Sequence, residues 1–370
     1  MIETPLFEIC RPKQWKTISS KDLSEHGYPV YGANGIIGFH SEYNHEKPTI
    51  LITCRGATCG TINVSVPFSY INGNAMALDD LDENKAYINY ISYYLKYRGL
   101  ADVISGSAQP QITREGLQSV KIPLPPLAEQ RRIASILDQA DELRQKRQQA
   151  IEKLDQLLQA TFIDMFGDPV SNPKGWEIFK SKALFQDPPR IGTTTPANGQ
   201  GIPVVRVGEL GQFYIDFDKC GRVQISESDF KKYELKNGDL VLARAIGSKN
   251  QLGKCSYFSE YFEPVCIDSH VMRLRPDSKK MHPLWFYFLL SSDQGKKILQ
   301  SKGGATAVQF NINSAQANDL DIALPPLSEQ AKFVEIANKI LKNKDSHIKS
   351  LEKNNLLFSS LQNQAFNGTL

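Results

Sequence analysis

The stretch Ile122-Pro-Leu-Pro-Pro-Leu-Ala-Glu-Gln130, IPLPPLAEQ, returns as IALPPLSEQ at residues 322–330, an offset of 200. At that offset Ile112 meets Ile312 and Val120 meets Leu320 before the phrase. After it Ile133 meets Phe333, Ile136 meets Ile336, Ile151 meets Leu351 and Phe166 meets Phe366. No insertion is needed anywhere between, so one structural unit is used twice.

Each phrase opens a long helix. Pro125-Pro126 and Pro325-Pro326 suit an extended entry and not a helix interior. Glu129 and Glu329 then place a carboxylate in the first turn, where the helix dipole favours it. Apolar residues follow at steps of three and four, which describes one stripe per helix, with slippage in the second copy around Asn343 and Lys344. The stripe expected to meet the other helix or a partner holds Leu127, Ile133, Ile136, Ala140, Leu143 and Leu154 in the first copy. In the second it holds Leu327, Phe333, Ile336, Ile340, Leu351 and Leu361. A run of roughly 35–40 residues at ~1.5 Å each is far longer than a small core can bury. Antiparallel packing of the two helices as a coiled coil is the economical solution.

Two globular modules remain, residues 1–121 and 168–321, with the helices at 122–167 and 322–370. Both modules are rich in short strand-like runs with Gly and Pro turns, such as Thr49-Ile-Leu-Ile-Thr53 and Asp239-Leu-Val-Leu-Ala243. Gly27-Tyr-Pro-Val30 parallels Gly201-Ile-Pro-Val204, and the run ending in Arg55 parallels the run ending in Arg244. An aromatic helix begins at Ile88 in one and at Pro283 in the other. The expected fold is mixed α/β: module, helix, module, helix, with a pseudo-twofold internal repeat.

Composition limits the function classes. Hydrophobic residues make up 41% of the 370 and charged residues 22%, as in a folded soluble protein. No apolar run approaches the ~20 residues of a spanning helix, and the start lacks a signal-peptide pattern, so a cytoplasmic location is expected, with no membrane partner. Six cysteines without a CxxC pair read as reduced core thiols. Forty-three basic against 40 acidic residues give no global cationic field, so nucleic acid would be held by local patches.

The doubled LPPLAEQ and LPPLSEQ, the following RRIASILDQADELRQKRQQAIEKLDQLLQATFIDMFGDP, and the lead-ins GSAQPQIT and GGATAVQFNI resemble the specificity subunits of Type I restriction-modification systems. The resemblance covers essentially the whole chain. It implies two target recognition domains, each reading one half of a split double-stranded DNA sequence. It also implies two near-repeated helices that separate them and recruit two methyltransferase subunits. S-adenosylmethionine and the methylation chemistry would reside in those partners and cleavage in a restriction subunit, whose existence the sequence leaves open. The chain itself would hold no cofactor, metal or catalytic residue.

Reading bases calls for Arg, Lys, Asn or Gln side chains on loops that reach a groove. The candidates are Tyr31, Asn34, Arg55, Ser107, Gln109, Gln111 and Arg114 in the first module. In the second they are Arg206, Arg244, Lys249, Asn250, Lys302, Gln309 and Asn311.

Enzyme motifs fail on detail. Gly247-Ser-Lys-Asn-Gln-Leu-Gly253-Lys254 has five residues between its glycines where a phosphate loop needs four, and Cys255 replaces the magnesium-binding Ser or Thr. In Asp187-Pro-Pro-Arg190 an arginine stands where amino-methyltransferases stack an aromatic ring on the flipped base. Glu83-Asn-Lys85 lacks the preceding Pro-Asp of a nuclease, Asp79, Asp80 and Asp82 read as an acidic turn, and His40 with His45 as a polar loop. A fused modification or restriction enzyme and a protein-only coiled-coil adaptor are the rival readings.

Overall fold

The structure, a computed structural model, describes residues 3–33, 35–106, 109–246, 253–302, 304–305 and 310–370. It divides into two compact units, Met1–Gln149 with Ile348–Leu370, and Ala150–His347. The long helices are Leu127–Phe166 and Leu327–Asn367, so each contributes residues to both units.

In the first unit four antiparallel strands run in the order Arg11–Gln14, Ala75–Asp79, Ile50–Thr53, Ile62–Val64. A second sheet sets Gly35–His40 antiparallel and Tyr70–Ile71 parallel to Tyr28–Gly32. A third pairs Glu3–Pro5 with Lys121–Pro123. The second unit repeats this plan. Its four strands are Phe185–Ile191, Val271–Pro276, Leu240–Ala243 and Cys255–Tyr257. Its three are Gly221–Val223, Ile202–Val205 and Cys266–Ile267, the last again parallel. Glu177–Lys180 pairs with Asp321–Leu324. Strand order and direction agree throughout, and the fold is mixed α/β.

The continuous apolar runs of the central strands follow from burial on both faces. Ile50, Ile52, Met76 and Leu78 pack toward the aromatic helix Ile88–Arg98 and the first long helix, while Leu51, Ala75 and Ala77 pack with Tyr31 and Ile71. Likewise Leu240, Leu242, Met272 and Leu274 pack toward the helix Pro283–Ser291, and Val241, Ala243 and Val271 face the other layer.

The repeated phrase is a joint. Ile122 and Ile322 are buried in their strands, and the Pro126 and Pro326 carbonyls accept the first helical N–H groups, from Glu129 and Gln130 and from Glu329 and Gln330. Gln130 is wholly buried. Its amide donates to the Lys85 and Pro125 carbonyls at 2.8 and 2.9 Å, and its oxygen accepts the Tyr87 N–H at 2.8 Å. Gln330 donates to Pro325 and accepts the His282 N–H, both at 2.8 Å. Tyr87 and His282 are the residues that open the two aromatic helices. The glutamine therefore ties each aromatic helix to its long helix. At the far end of the first long helix, Gly167 at φ 78° donates its N–H to Ile163 and stops it.

The long helices pair antiparallel within each unit. In the first, Arg144 bonds Asn355 at 2.7 Å and Arg132 reaches the Leu370 carbonyl at 2.8 Å. In the second, Lys344 meets Asp155 at 2.5 Å, and Phe162 packs edge-on to Phe333 with ring centres 5.3 Å apart. The seam corrects the expected stripe by one position in several turns. Ile133, Ala140 and Phe333 are buried, and Ile340 and Leu361 pack partly against the cores. Leu127, Ile136, Leu154 and Leu351 are half-buried. Leu143, Leu327 and Ile336 face outward, while Leu137, Ala337, Leu341 and Phe358 are buried. These helices carry apolar neighbours such as Ile136-Leu137 and Ile340-Leu341, so periodicity alone cannot choose between them.

The slippage at Lys344 has a cause: this lysine enters the seam to meet Asp155. At the 200-residue offset Lys344 matches Arg144 and Asp155 matches Asn355, so the two polar pairs are equivalents. A polar pair in an apolar seam fixes register at some cost in stability. Lys344→Ala is expected to lower the stability of the second unit by about 1–2 kcal/mol, because Asp155 keeps partial solvent contact. Lys344→Leu with Asp155→Leu should restore the loss. Chemical denaturation followed by hydrogen exchange measures both.

Candidate nucleic-acid interface

In the first unit three chain segments meet just beyond the Ile50–Thr53 strand. Arg55 bridges Gln111, and Gln111 exchanges both backbone hydrogen bonds with Ser105 at 2.8 Å. The Gly56 N–H bonds Pro110, and the Ile112 N–H bonds Cys54 at 2.9 Å. The Thr53 hydroxyl donates to the Ala33 carbonyl and so draws in the tip of the Tyr28–His40 hairpin. Arg55, Gln109 and Gln111 are all exposed on this cluster. Among the described residues the Arg55 guanidinium takes no side-chain hydrogen bond or ion pair. Arg114 is exposed a few residues on, with its guanidinium 5.7 Å from the Phe7 ring centre.

The second unit builds the same meeting as a three-stranded sheet. Asn311 pairs with Ala245 on one side and Gly304 on the other, and the Ile312 N–H bonds the Arg244 carbonyl at 3.0 Å. Asn311 thus occupies the place of Gln111. Arg244 occupies the place of Cys54, one residue away from the match with Arg55 that the sequence suggested.

Several other candidates have partners within the fold. Arg244 donates to the Ser269 and Ile312 carbonyls and braces the loops from behind. Arg206 is held by Glu209, whose carboxylate also accepts the Arg206 N–H at 2.7 Å, so it caps a turn. Lys302 bonds Asp319 at 2.6 Å. Lys180 and Lys302 together hold the Asp319 carboxyl down to about 2. Tyr31 is a core residue whose hydroxyl accepts the Val66 N–H. Asn34, Ser107, Lys249, Asn250 and Gln309 lie outside the described residues.

Sequence reasoning missed Thr53, whose hydroxyl joins the hairpin tip to the cluster. It also missed His270, an exposed imidazole that bonds Asp268 at 2.6 Å and whose carbonyl accepts the Arg244 N–H. The Asp-Ser-His spacing of 268–270 was the available signal.

The rejected motifs have structural roles. Asp187-Pro-Pro-Arg190 is part of an edge strand, and Asp187 accepts from Arg275 at 2.7 Å. Asp79 is no acidic turn: it accepts from the Trp15 indole at 3.1 Å and sits 2.9 Å from His45 Nε2. Among the described residues no three His, Cys, Asp or Glu side chains are grouped to hold a metal, and no described helix is long and apolar enough to cross a membrane. Cys10, Cys54, Cys255 and Cys266 are buried free thiols, and burial pushes Cys54 up to about 11.

The sequence pattern of the Type I restriction modification DNA specificity domain matches residues 4–153 and 173–356. Over 305 residues the chain is 26% identical to the Type I restriction enzyme StySPI specificity subunit of Salmonella potsdam, covering 76% of this chain and 65% of that one. Over 184 residues it is 30% identical to a putative Type I restriction enzyme MjaX specificity subunit of Methanocaldococcus jannaschii, covering 49% and 42%. The chain thus spans less than two thirds of the length of these relatives. In fold it is similar to the crystal structure of a Type I restriction-modification S subunit from M. genitalium. The TM-score is 0.63 at 16% identity, over 99% of this chain and 96% of that one. With both halves matched by one pattern and both built on one topology, the chain belongs to the Type I restriction modification DNA specificity family.

Proposed function

We propose that this protein is the non-catalytic DNA-reading subunit of a Type I restriction-modification complex. Each module reads one half of a bipartite duplex target. The long helices set the spacer and recruit two methyltransferase subunits, which carry S-adenosylmethionine. Where a restriction subunit exists it joins the same complex. The observation that carries the reading is the three-segment meeting built twice, at Arg55, Gln111 and Ser105 and at Ala245, Asn311 and Gly304. Exposed Arg and Gln side chains on a braced loop suit the major-groove edges of guanine and adenine. Arg55 and Gln111 are among the side chains that set the bases read, and Arg55 stands where the second module has Ala245, so the two half-sites differ.

Replacing residues 1–121 by the module of a relative should change one half of the methylated sequence and leave the other half and the spacer intact, read by mapping methylated adenines. A change in both halves, or in neither, overturns the reading. Within the first module, Arg55→Ala and Gln111→Ala should each cost about 1–3 kcal/mol in affinity for the cognate duplex and relax preference at one position. Titration of assembled complex against single-base variants of the duplex checks this.

A further inference from the structure

In both units the loop that leaves the outermost strand of the four-stranded sheet and enters the parallel strand of the three-stranded sheet exposes a phenylalanine. Phe68 lies between Ile62–Val64 and Tyr70–Ile71 and is 48% exposed. Phe262 lies between Cys255–Tyr257 and Cys266–Ile267 and is 84% exposed. Neither ring hangs alone. Phe68 packs edge-on to Tyr43 at 5.3 Å, and Phe262 lies 4.3 Å from Tyr261, which stacks on Phe217 at 3.9 Å. Phe68 also sits at φ 54°, a left-handed backbone that costs a phenylalanine energy and holds the ring outward.

These loops lie at the end of each central sheet away from the reading cluster. Val64 pairs with Ile50, at the opposite end of its strand from Thr53, and Tyr257 pairs with Leu240, at the opposite end from Ala243. Their borders are acidic. The exposed Glu46 accepts at 3.5 Å from the hydroxyl of Tyr43, the ring that packs on Phe68, and the exposed Glu260 lies two residues before Phe262. Lys47, next to Glu46, is engaged by Glu83 at 2.8 Å, and Arg222 is engaged by Glu263, the neighbour of Phe262, at 2.5 Å. An acidic border repels a phosphate backbone and suits a cationic protein segment. Covering an exposed aromatic ring removes apolar surface from water, which favours association.

We infer that the Phe68 and Phe262 loops are equivalent docking surfaces for one partner chain bound twice, through a segment that presents Lys or Arg with apolar neighbours. The partner present twice in the reading above is the methyltransferase subunit, so the inference rests on that reading. The test is native mass spectrometry of the full chain with purified methyltransferase subunit, for wild type, Phe68→Ser, Phe262→Ser and both together, with duplex binding by the chain alone in parallel. Each single variant should weaken one copy at least tenfold and shift complexes toward one methyltransferase, and the double variant should weaken both. Glu46→Lys with Glu260→Lys should weaken both copies without touching the rings. Duplex binding should stay unchanged. Two copies held at wild-type affinity by the double variant and by the lysine pair would overturn the inference. So would a loss of duplex binding with stoichiometry intact, which makes the loops a DNA surface, or a loss of self-association alone. Failure of the wild-type chain to bind any methyltransferase would instead overturn the parent reading.

Discussion

Gln130→Ala is expected to lower the stability of the first unit by about 3 kcal/mol, an outsized effect for a polar residue in a helix first turn. The truncation leaves the Tyr87 N–H and the Lys85 and Pro125 carbonyls without the partner that each has at 2.8–2.9 Å, in a site closed to water. Each buried orphan costs about 1–3 kcal/mol, partly relieved where local relaxation admits water. Gln330→Ala removes the same device from the second unit and should cost slightly less, about 2 kcal/mol, since two groups are orphaned in place of three. Gln130→Glu keeps the acceptor for Tyr87 but buries a charge, so it should be no better than alanine. Amide exchange at residues 87–91 reports the joint directly, and it should speed up in Gln130→Ala while the second unit is unchanged. Loss below about 0.5 kcal/mol with exchange unaltered would mean that the phrase is not a joint.

The joint explains why the repeat was legible. A helix entry needs Pro-Pro to end the strand, and a buried glutamine is a strict chemical demand with few substitutes, so both copies kept the same letters while Ile133 and Phe333 drifted apart around them. The alternation of strand and turn was legible for the same reason, as was the match of Val30 with Val204, which pair in parallel with Tyr70 and Cys266. The candidate reading residues were less legible. Arg55 and Arg244 look alike in sequence because each ends an apolar run, yet a single residue of register sends one outward and the other back onto Ser269 and Ile312. Lys302 and Arg206 look like free cations until the fold brings Asp319 and Glu209 within 2.7 Å. Asp319 lies 17 residues from Lys302 and leaves no local signal, whereas Glu209 stands three residues after Arg206 and was the signal available there. Lys344 is the converse case: it read as a break in the stripe because its partner, Asp155, is 189 residues away.

The same position in the two units also shows how one plan tolerates different chemistry. Asp79 and Arg275 are the fifth residues of equivalent strands, as the pairings of Ala75 with Thr53 and of Val271 with Ala243 show. Asp79 is satisfied by His45 and Trp15, Arg275 by Asp239 and Asp187. Opposite charges fit because each is fully bonded, and such networks are exchanged as sets and not one residue at a time.

Asp239→Ala should therefore be among the most damaging single changes in the second unit, at about 3–5 kcal/mol. Asp239 is buried and gives both oxygens to Arg275 at 2.8 Å, with a further bond from the Lys236 N–H at 2.7 Å. Burial raises its carboxyl above the usual range, against which the Arg275 fork works, so the charge is tolerated only because the fork is there. Removal would leave Arg275 beside Arg273, a second buried guanidinium that burial and Arg275 already disfavour. Asp187→Ala, with its side chain 43% exposed, should cost about 1 kcal/mol or less, since solvent can replace it. Arg275→Met with Asp239→Leu, which takes both charges out together, should recover most of the loss. Amide exchange across Leu240–Ala243 in the three variants separates these cases from any change in the first unit. Equal costs for Asp239→Ala and Asp187→Ala would show that the pair is solvated and that the network holds nothing together.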